Sequence, residues 1–251
     1  MSAADYRVRS APGAQEPVPA LVTLDVWGVP GRAVPRALVR MGLDRGAVRR
    51  QRGVTFAKML GTGSGRTFTS RDADPRHWGA LVAWNDAVAA DSFAVSSVAS
   101  GWSSIAHEHA RFTMRPLISR GTWAGRAPFG DPVAHRWDGP VAALTRARIR
   151  PTQWVDFWRS VPNVSDDLDV LPGIVFRLGI GEAPVGLQGT FSVWESNAAL
   201  TEFAHRRSPH REVMQRTHET GWYAEELFAR FALMSAEGDY GGLPVQLGPT
   251  P

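Results

Sequence analysis

The chain has 251 residues, 43% hydrophobic and 21% charged, the make-up of an ordinary globular protein, which excludes a disordered or fibrous one. Its formal charge of +4 comes from arginines scattered along the sequence, with no basic block interleaved with aromatics as a nucleic-acid strip would show, so a solvated arginine-rich surface is expected. The absence of cysteine excludes disulfides, thiolate nucleophiles, zinc–thiolate and iron–sulfur sites, and thiolate-ligated haem.

Residues 1–19, with Pro12, Gly13, Pro17 and Pro19, lack periodicity and read as a tail. A β-type run over 20–27 is closed by Gly28 and Pro30, and a helical stretch follows over 34–43. A strand over 54–60 leads into Gly61-Thr62-Gly63-Ser64-Gly65. That string lacks the strand-to-helix setting of a dinucleotide fingerprint, the Gly-Lys-Ser/Thr ending of a phosphate loop and the setting of a nucleophile elbow; a glycine-rich hairpin loop is expected. A strand over 79–84, a helix from about Asp86 and a strand near 110–117 complete the first half. The second half reads strand 142–149, helix from Thr152, strand 173–180, strand 189–194, helices after Ser196 and strand 226–234, with a tail from Gly241. In the strand after Gly173, alternation places Ile174, Phe176, Leu178 and Ile180 on one face and Val175, Arg177 and Gly179 on the other. No apolar run reaches the roughly 18 residues of a membrane span, the amino terminus lacks a secretory stretch, and a cytoplasmic location is expected.

The two halves echo one another. Gly53-Val54-Thr55-Phe56 returns as Gly173-Ile174-Val175-Phe176, Ala83-Trp84 with Phe93 as Val193-Trp194 with Phe203, and Gly101-Trp102 with Ala110-Arg111-Phe112 as Gly221-Trp222 with Ala229-Arg230-Phe231. The repeated unit is too long for a solenoid repeat of roughly 20–50 residues. Its order is β-α-β-β-α-β, twice, which predicts an α+β fold of two ferredoxin-like repeats, of the dimeric α+β barrel type, whose sheets face one another. The expected division is a tail over 1–19, repeats over 20–126 and 127–242, and a tail over 243–251.

Histidine is the strongest remaining ligand or base. Ser208 suits an N-cap and Pro209 the first helical position, so His210 would share a helical stripe with Val213, Met214 and Thr217 and face the interior. A helix N-terminus favours the neutral imidazole that metal ligation needs, although a hydrogen-bonded core histidine fits the same spacing. His107 and His109 can share one face of a strand but lack a third ligand; His77 and His135 fall in loops and carry no signal. Lys58 is the one lysine, which invites a specific reason. The paired tryptophans, Trp84 with Trp194 and Trp102 with Trp222, read as core first and as walls for a flat apolar ligand second.

The strings Phe56-Ala57-Lys58-Met59-Leu60-Gly61-Thr62-Gly63-Ser64-Gly65, Gly179-Ile180-Gly181-Glu182-Ala183-Pro184, Thr190-Phe191-Ser192-Val193-Trp194, Ser208-Pro209-His210 and Gly221-Trp222-Tyr223-Ala224-Glu225-Glu226-Leu227-Phe228-Ala229-Arg230-Phe231 together resemble the spheroidene monooxygenase family, over about residues 21–242. The resemblance implies an oxidoreductase, a haem-dependent monooxygenase that uses dioxygen and an electron donor to oxygenate a hydrophobic acyclic carotenoid. It makes His210 the axial iron ligand of haem b, with Met214, Trp194 and Trp222 around the cofactor. Ile105-Ala106-His107-Glu108-His109 departs from the family pattern. Arg177 and Arg230 are candidate cationic donors near the reacting oxygen, or equally arginines paired with carboxylates. Dehydration of a nitrogen-containing substrate by a haem enzyme, and a cofactor-free binding protein of the same fold, are the other readings. No nucleic-acid partner or integral membrane segment is expected, and a homo-oligomer is compatible.

Overall fold

The computed structural model describes residues 16–64, 72–133, 135–149, 172–182, 189–206 and 223–247. In chain order the elements are β1 (Leu21–Gly28), α1 (Val34–Arg49), β2 (Val54–Gly63), β3 (Ala73–Trp84), α2 (Ala87–Ser92), α3 (Ser97–Ser103), β4 (Glu108–Gly121), β5 (Val141–Ile149), β6 (Ile174–Gly181), β7 (Gly189–Trp194), α4 (Asn197–Arg206), β8 (Tyr223–Tyr240) and β9 (Leu243–Pro244). Local chemistry starts the helices: the Asp86 carboxylate accepts from the Val88 N–H ahead of α2, and the Ser96 hydroxyl accepts from the Ala99 N–H ahead of α3. Pro35 stands in the first turn of α1, where its missing N–H costs nothing.

The strands form one antiparallel sheet in the order β4-β1-β3-β2-β6-β7-β5-β8-β9, and a further pairing of β4 with β8 closes the first eight into a ring. The expected α+β class holds. The halves are not two sheets facing each other across a gap. They are arcs of one ring, joined by β2 with β6 on one side and by β4 with β8 on the other.

Alternation then sorts the side chains into three cores. Inside the barrel lie Leu24, Leu60, Leu81, Phe112, Phe191 and Phe231 with their neighbours. Outside the first arc, Trp27, Met59, Trp78, Val82 and Trp84 pack under α1, α2 and α3 with Met41 and Trp102. Outside the second arc, Val141, Ala143, Trp194 and Ala232 pack with Leu200 and Phe203 of α4.

Four expectations change. Gly61-Thr62-Gly63 is strand, paired to both β3 and β6, and the chain leaves the sheet only at Ser64. Alternation in β6 is broken by an irregularity between Ile174 and Phe176, which turns Ile174 to the outer core while Phe176, Leu178 and Ile180 stay inside. His77 is on β3 and not in a loop. The segment after Gly241 folds back as β9, and Leu247 exchanges backbone hydrogen bonds with Ala236. The helices expected from Thr152 and Ser208 lie outside the described residues.

Candidate functional site

On the outside of the second arc, Arg177 on β6 stands opposite Ser192 on β7, Ser192 opposite Ala143 on β5, and Ala143 opposite Arg230 on β8. One row across four strands thus ends in a guanidinium at each side, with only a hydroxyl and a methyl group between. Three interstrand steps separate the two arginine backbones by about 14 Å. The next row is Gly179, Thr190, Thr145 and Phe228; the row on the other side is apolar, with Ile174, Trp194, Val141 and Ala232. The Trp194 indole donates to Ser192 Oγ at 2.9 Å and its ring lies 5.0 Å from that of Phe203 on α4, which fixes one wall. The result is a floor of small side chains with a fixed indole along one edge and a cation at each end.

Arg230 donates to Asn197 Oδ1, while its buried Nε has no hydrogen-bond partner among the described residues. Burial lowers its pKa, because desolvation penalises the guanidinium and no carboxylate pairs with it among the described residues. The first arc handles the same position differently. There Arg111 stands opposite Asp25 across β1 and β4 and donates to its carboxylate at 3.3 Å. Asp25 is 1% exposed, and Trp27 and Trp102 stack beside it at 5.5 Å, so that face is filled and internally neutralised. On the second arc, alanine replaces the acid.

The two ends of the barrel are charged. At one, Lys58 shares the inner face of β2 with Phe56 and Leu60 and donates to Glu182 Oε2 at 2.5 Å. Glu182 Oε1 accepts from the Trp123 indole at 2.6 Å and from Arg146 at 2.9 Å, and Arg146 also reaches Glu225. Burial would raise both carboxyls, but their donors win. Lys58 and Trp123 hold Glu182 below its usual range, and the Gly125 N–H and the Arg146 guanidinium hold Glu225 at about 2. The reason for the single lysine is therefore structural: it neutralises an acid at a barrel mouth.

At the other end His77 lies between two carboxylates, with Nδ1 2.6 Å from Asp74 and Nε2 2.6 Å from Glu108. Burial would lower the imidazole pKa, but the two acids outweigh it and raise it above 6.5, and both acids fall below their ordinary values. The Tyr240 ring packs on His77 at 4.7 Å, and its phenol is pushed up by burial and by the nearby acids. An open cavity of ≈ 440 Å³ lies outside this clasp, against Arg76, His107 and Gly242. His107 and His109 do not act together: His109 Nε2 bonds Asp25 Oδ1 at 2.9 Å, whereas His107 is 3.8 Å from Glu108. Among the described residues, no group of three or more histidine or acidic side chains could hold a metal ion.

Of the residues singled out from the sequence, Arg177, Arg230 and Trp194 come together on the outer face of the second arc. His210, Met214 and Trp222 lie outside the described residues. Sequence reasoning missed Ser192 and Ala143, which complete the arginine row, and the charged clusters at both barrel ends. Ser192 and Ala143 could have been found by extending alternation from Trp194 and Leu144, whereas the clusters depend on register. No described helix is long and apolar enough to cross a membrane.

No family model matches the chain. Among solved structures, aldoxime dehydratase in complex with butyraldoxime aligns over 85% of this chain and 79% of its own, with TM-score 0.50 and 10% identity, a likeness of fold alone. Spheroidene monooxygenase of Rubrivivax gelatinosus is 38% identical over 192 residues, covering 76% of this chain and 73% of that protein. Spheroidene monooxygenase of Rhodobacter capsulatus is 37% identical over 213 residues, covering 84% of this chain and 88% of that protein. Identity at this level over about three quarters or more of each protein means that the chain belongs to the spheroidene monooxygenase family, a family of oxidoreductases.

Proposed function

We propose that this protein is a haem-dependent monooxygenase that oxygenates a hydrophobic polyene of the carotenoid class, with haem b held against the outer face of the second arc. Family membership supports the monooxygenase reaction. The observation that carries the cofactor assignment is the row Arg177-Ser192-Ala143-Arg230, where two guanidiniums without an acid between them flank small side chains that admit a flat group. The buried Nε of Arg230, without a partner among the described residues, fits a ligand that brings its own carboxylates. We also read the two arcs as copies of one β-α-β-β-α-β unit, since β4-β1-β3-β2 and β8-β5-β7-β6 take the same order within each half.

In this reading haem supplies the iron at which dioxygen is activated. His210, outside the described residues, is the proposed iron ligand, and Met214 and Trp222, also outside them, are proposed to contact the cofactor. Arg230 would hold the cofactor's carboxylates with its guanidinium N–H groups. Arg177 is the proposed donor toward the oxygen that is transferred. Trp194, immobilised by Ser192 and Phe203, excludes water along one side. An electron donor completes the turnover.

An optical spectrum of the purified protein tests this. A Soret band that His210→Ala abolishes is expected, together with turnover that requires both a reductant and dioxygen. A colourless protein that haemin does not reconstitute would end the cofactor assignment, and turnover without net oxidation would replace oxygenation by dehydration.

A further inference from the structure

The outer surface of α1 is built unlike that of an ordinary helix packed on a sheet. Its inward side is accounted for by Ala37, Met41 and Val48, which are buried against the outer core of the first arc. The opposite side should be polar. Instead Leu38, Val39 and Leu43 are 45%, 60% and 73% exposed, with Pro35 and Gly42 exposed among them. At about 100° per residue Pro35, Val39 and Gly42 point straight out, and Leu38 and Leu43 flank them as one apolar strip.

Arginine surrounds this strip. Between residues 32 and 52 the chain carries Arg32, Arg36, Arg40, Arg45, Arg49, Arg50 and Arg52 against a single acid, Asp44. Seven cations against one anion give this stretch +6, so the rest of the chain, formally +4 in all, is −2 without it. Asp44 is itself engaged by Arg40 at 3.3 Å. Arg32, Arg36, Arg45, Arg49, Arg50 and Arg52 are exposed. The arginines are therefore not scattered once the chain is folded: their excess is concentrated around one apolar strip.

We propose that α1 is a membrane-docking helix that lays this strip into the surface of an anionic lipid bilayer. Branched aliphatics enter the boundary between headgroups and acyl chains, while arginines flex outward to lipid phosphates. Two other occupants fit less well. Nucleic acid would meet the arginines but would desolvate three aliphatic side chains against phosphate for no return. A second copy packed through this helix would bring +6 onto +6 across a two-fold axis. Docking by α1 would also place the enzyme where a water-insoluble polyene is dissolved, which extends the proposed substrate class without depending on it.

The test is flotation of the full-length protein with vesicles of phosphatidylcholine alone and of phosphatidylcholine mixed with phosphatidylglycerol, without substrate or added haemin. Binding to the anionic vesicles, weakened by salt, is expected. Arg36→Gln and Arg49→Gln should each weaken it about five-fold. The double variant Val39→Ser/Leu43→Ser should lose it at unchanged charge, with its urea midpoint intact because both side chains are exposed. Failure to float with anionic vesicles overturns the proposal, as does binding that the serine variant retains. Wild-type dimers that the serine variant splits would assign the strip to a second copy, and DNA binding that the serine variant keeps would reduce it to a polycation. None of these outcomes touches the haem reading, which rests on the opposite arc of the ring.

Discussion

Lys58 and Glu182, 124 residues apart, meet at one mouth of the barrel, where the ammonium donates to a carboxylate that also holds Trp123 and Arg146. Lys58 is 8% exposed and Arg146 4%. Removing one member of such a buried network leaves its partners charged and unsolvated. Lys58→Ala should cost about 3 kcal/mol in urea unfolding, and Glu182→Gln more, since it removes the negative charge facing both Lys58 and Arg146 and turns one acceptor oxygen into an amide donor. A cost below about 1 kcal/mol, the range of an exposed pair, would show that water reaches this mouth.

The clasp around His77 gives stability an alkaline limb. Its pKa is raised, so its contribution is complete below the ordinary 6.5 and is lost as pH rises through the folded-state value. Asp74, Glu108, Glu182 and Glu225 are lowered, so theirs is complete above the ordinary carboxylate range and drains as pH falls, for Glu225 down to about 2. Thermal melts should peak between about 4.5 and 6.5, and His77→Gln should flatten the alkaline side, and shorten the acid side where Asp74 and Glu108 lose their imidazole partner, while costing about 2 kcal/mol at pH 6. An unchanged alkaline side in that variant would assign the limb to another group.

Arg230 and Arg111 occupy matching places on the two arcs and should answer differently to alanine. Arg230→Ala should weaken haemin binding about ten- to a hundred-fold, the range of a charge-assisted hydrogen bond, with little change in urea midpoint. Arg111→Ala should leave haemin binding alone and destabilise the fold by about 3 kcal/mol, since the buried Asp25 carboxylate would lose its guanidinium and keep, among the described residues, the hydrogen bond to His109. Haemin titration and urea unfolding of the two variants, side by side, separate the roles.

The β4–β8 seam is pinned near both ends by glycines in the left-handed region. Gly121 has φ 88°, and a Cβ there would fall 2.1 Å from the Glu226 carbonyl oxygen; Gly238 has φ 98°, with the His109 carbonyl oxygen at 2.0 Å. Alanine at either position meets backbone that cannot yield and a strained φ together, so each should cost about 2 kcal/mol or more. Gly125→Ala, also at positive φ but in open space, should cost less, and equal losses at all three would show that φ alone decides.

The strands were legible because alternation and flanking turn residues are local. Val54 and Gly189 open strands where the pattern places them, and β5 begins at Val141, one residue before the expected start. The outward face of Arg177 and Arg230 was readable too, since each follows the period of two from its strand neighbours. What escaped depends on register. The irregularity between Ile174 and Phe176 reverses Ile174, with no glycine or proline inside it to announce it, and β9 forms because β8 runs long enough to receive it. His77 looked silent because Glu108 becomes its neighbour only when β3 and β4 flank β1 at Gly28, and Asp74, three residues away, gave no signal without it; Lys58 gained its meaning only through Glu182. Concentration of the arginines around α1 was hidden because composition counts charges and does not place them.

Closure of the ring settles what either half could do by itself. Severed between β4 and β5, the first fragment would present β2 and β4, and the second β6 and β8, as bare ladders of unpaired N–H and C=O groups. Each fragment made alone would recruit whatever chain it met and aggregate. Made together, they would find in one another the complement to both seams and reassemble as a heterodimer, the gap in the chain falling outside every seam.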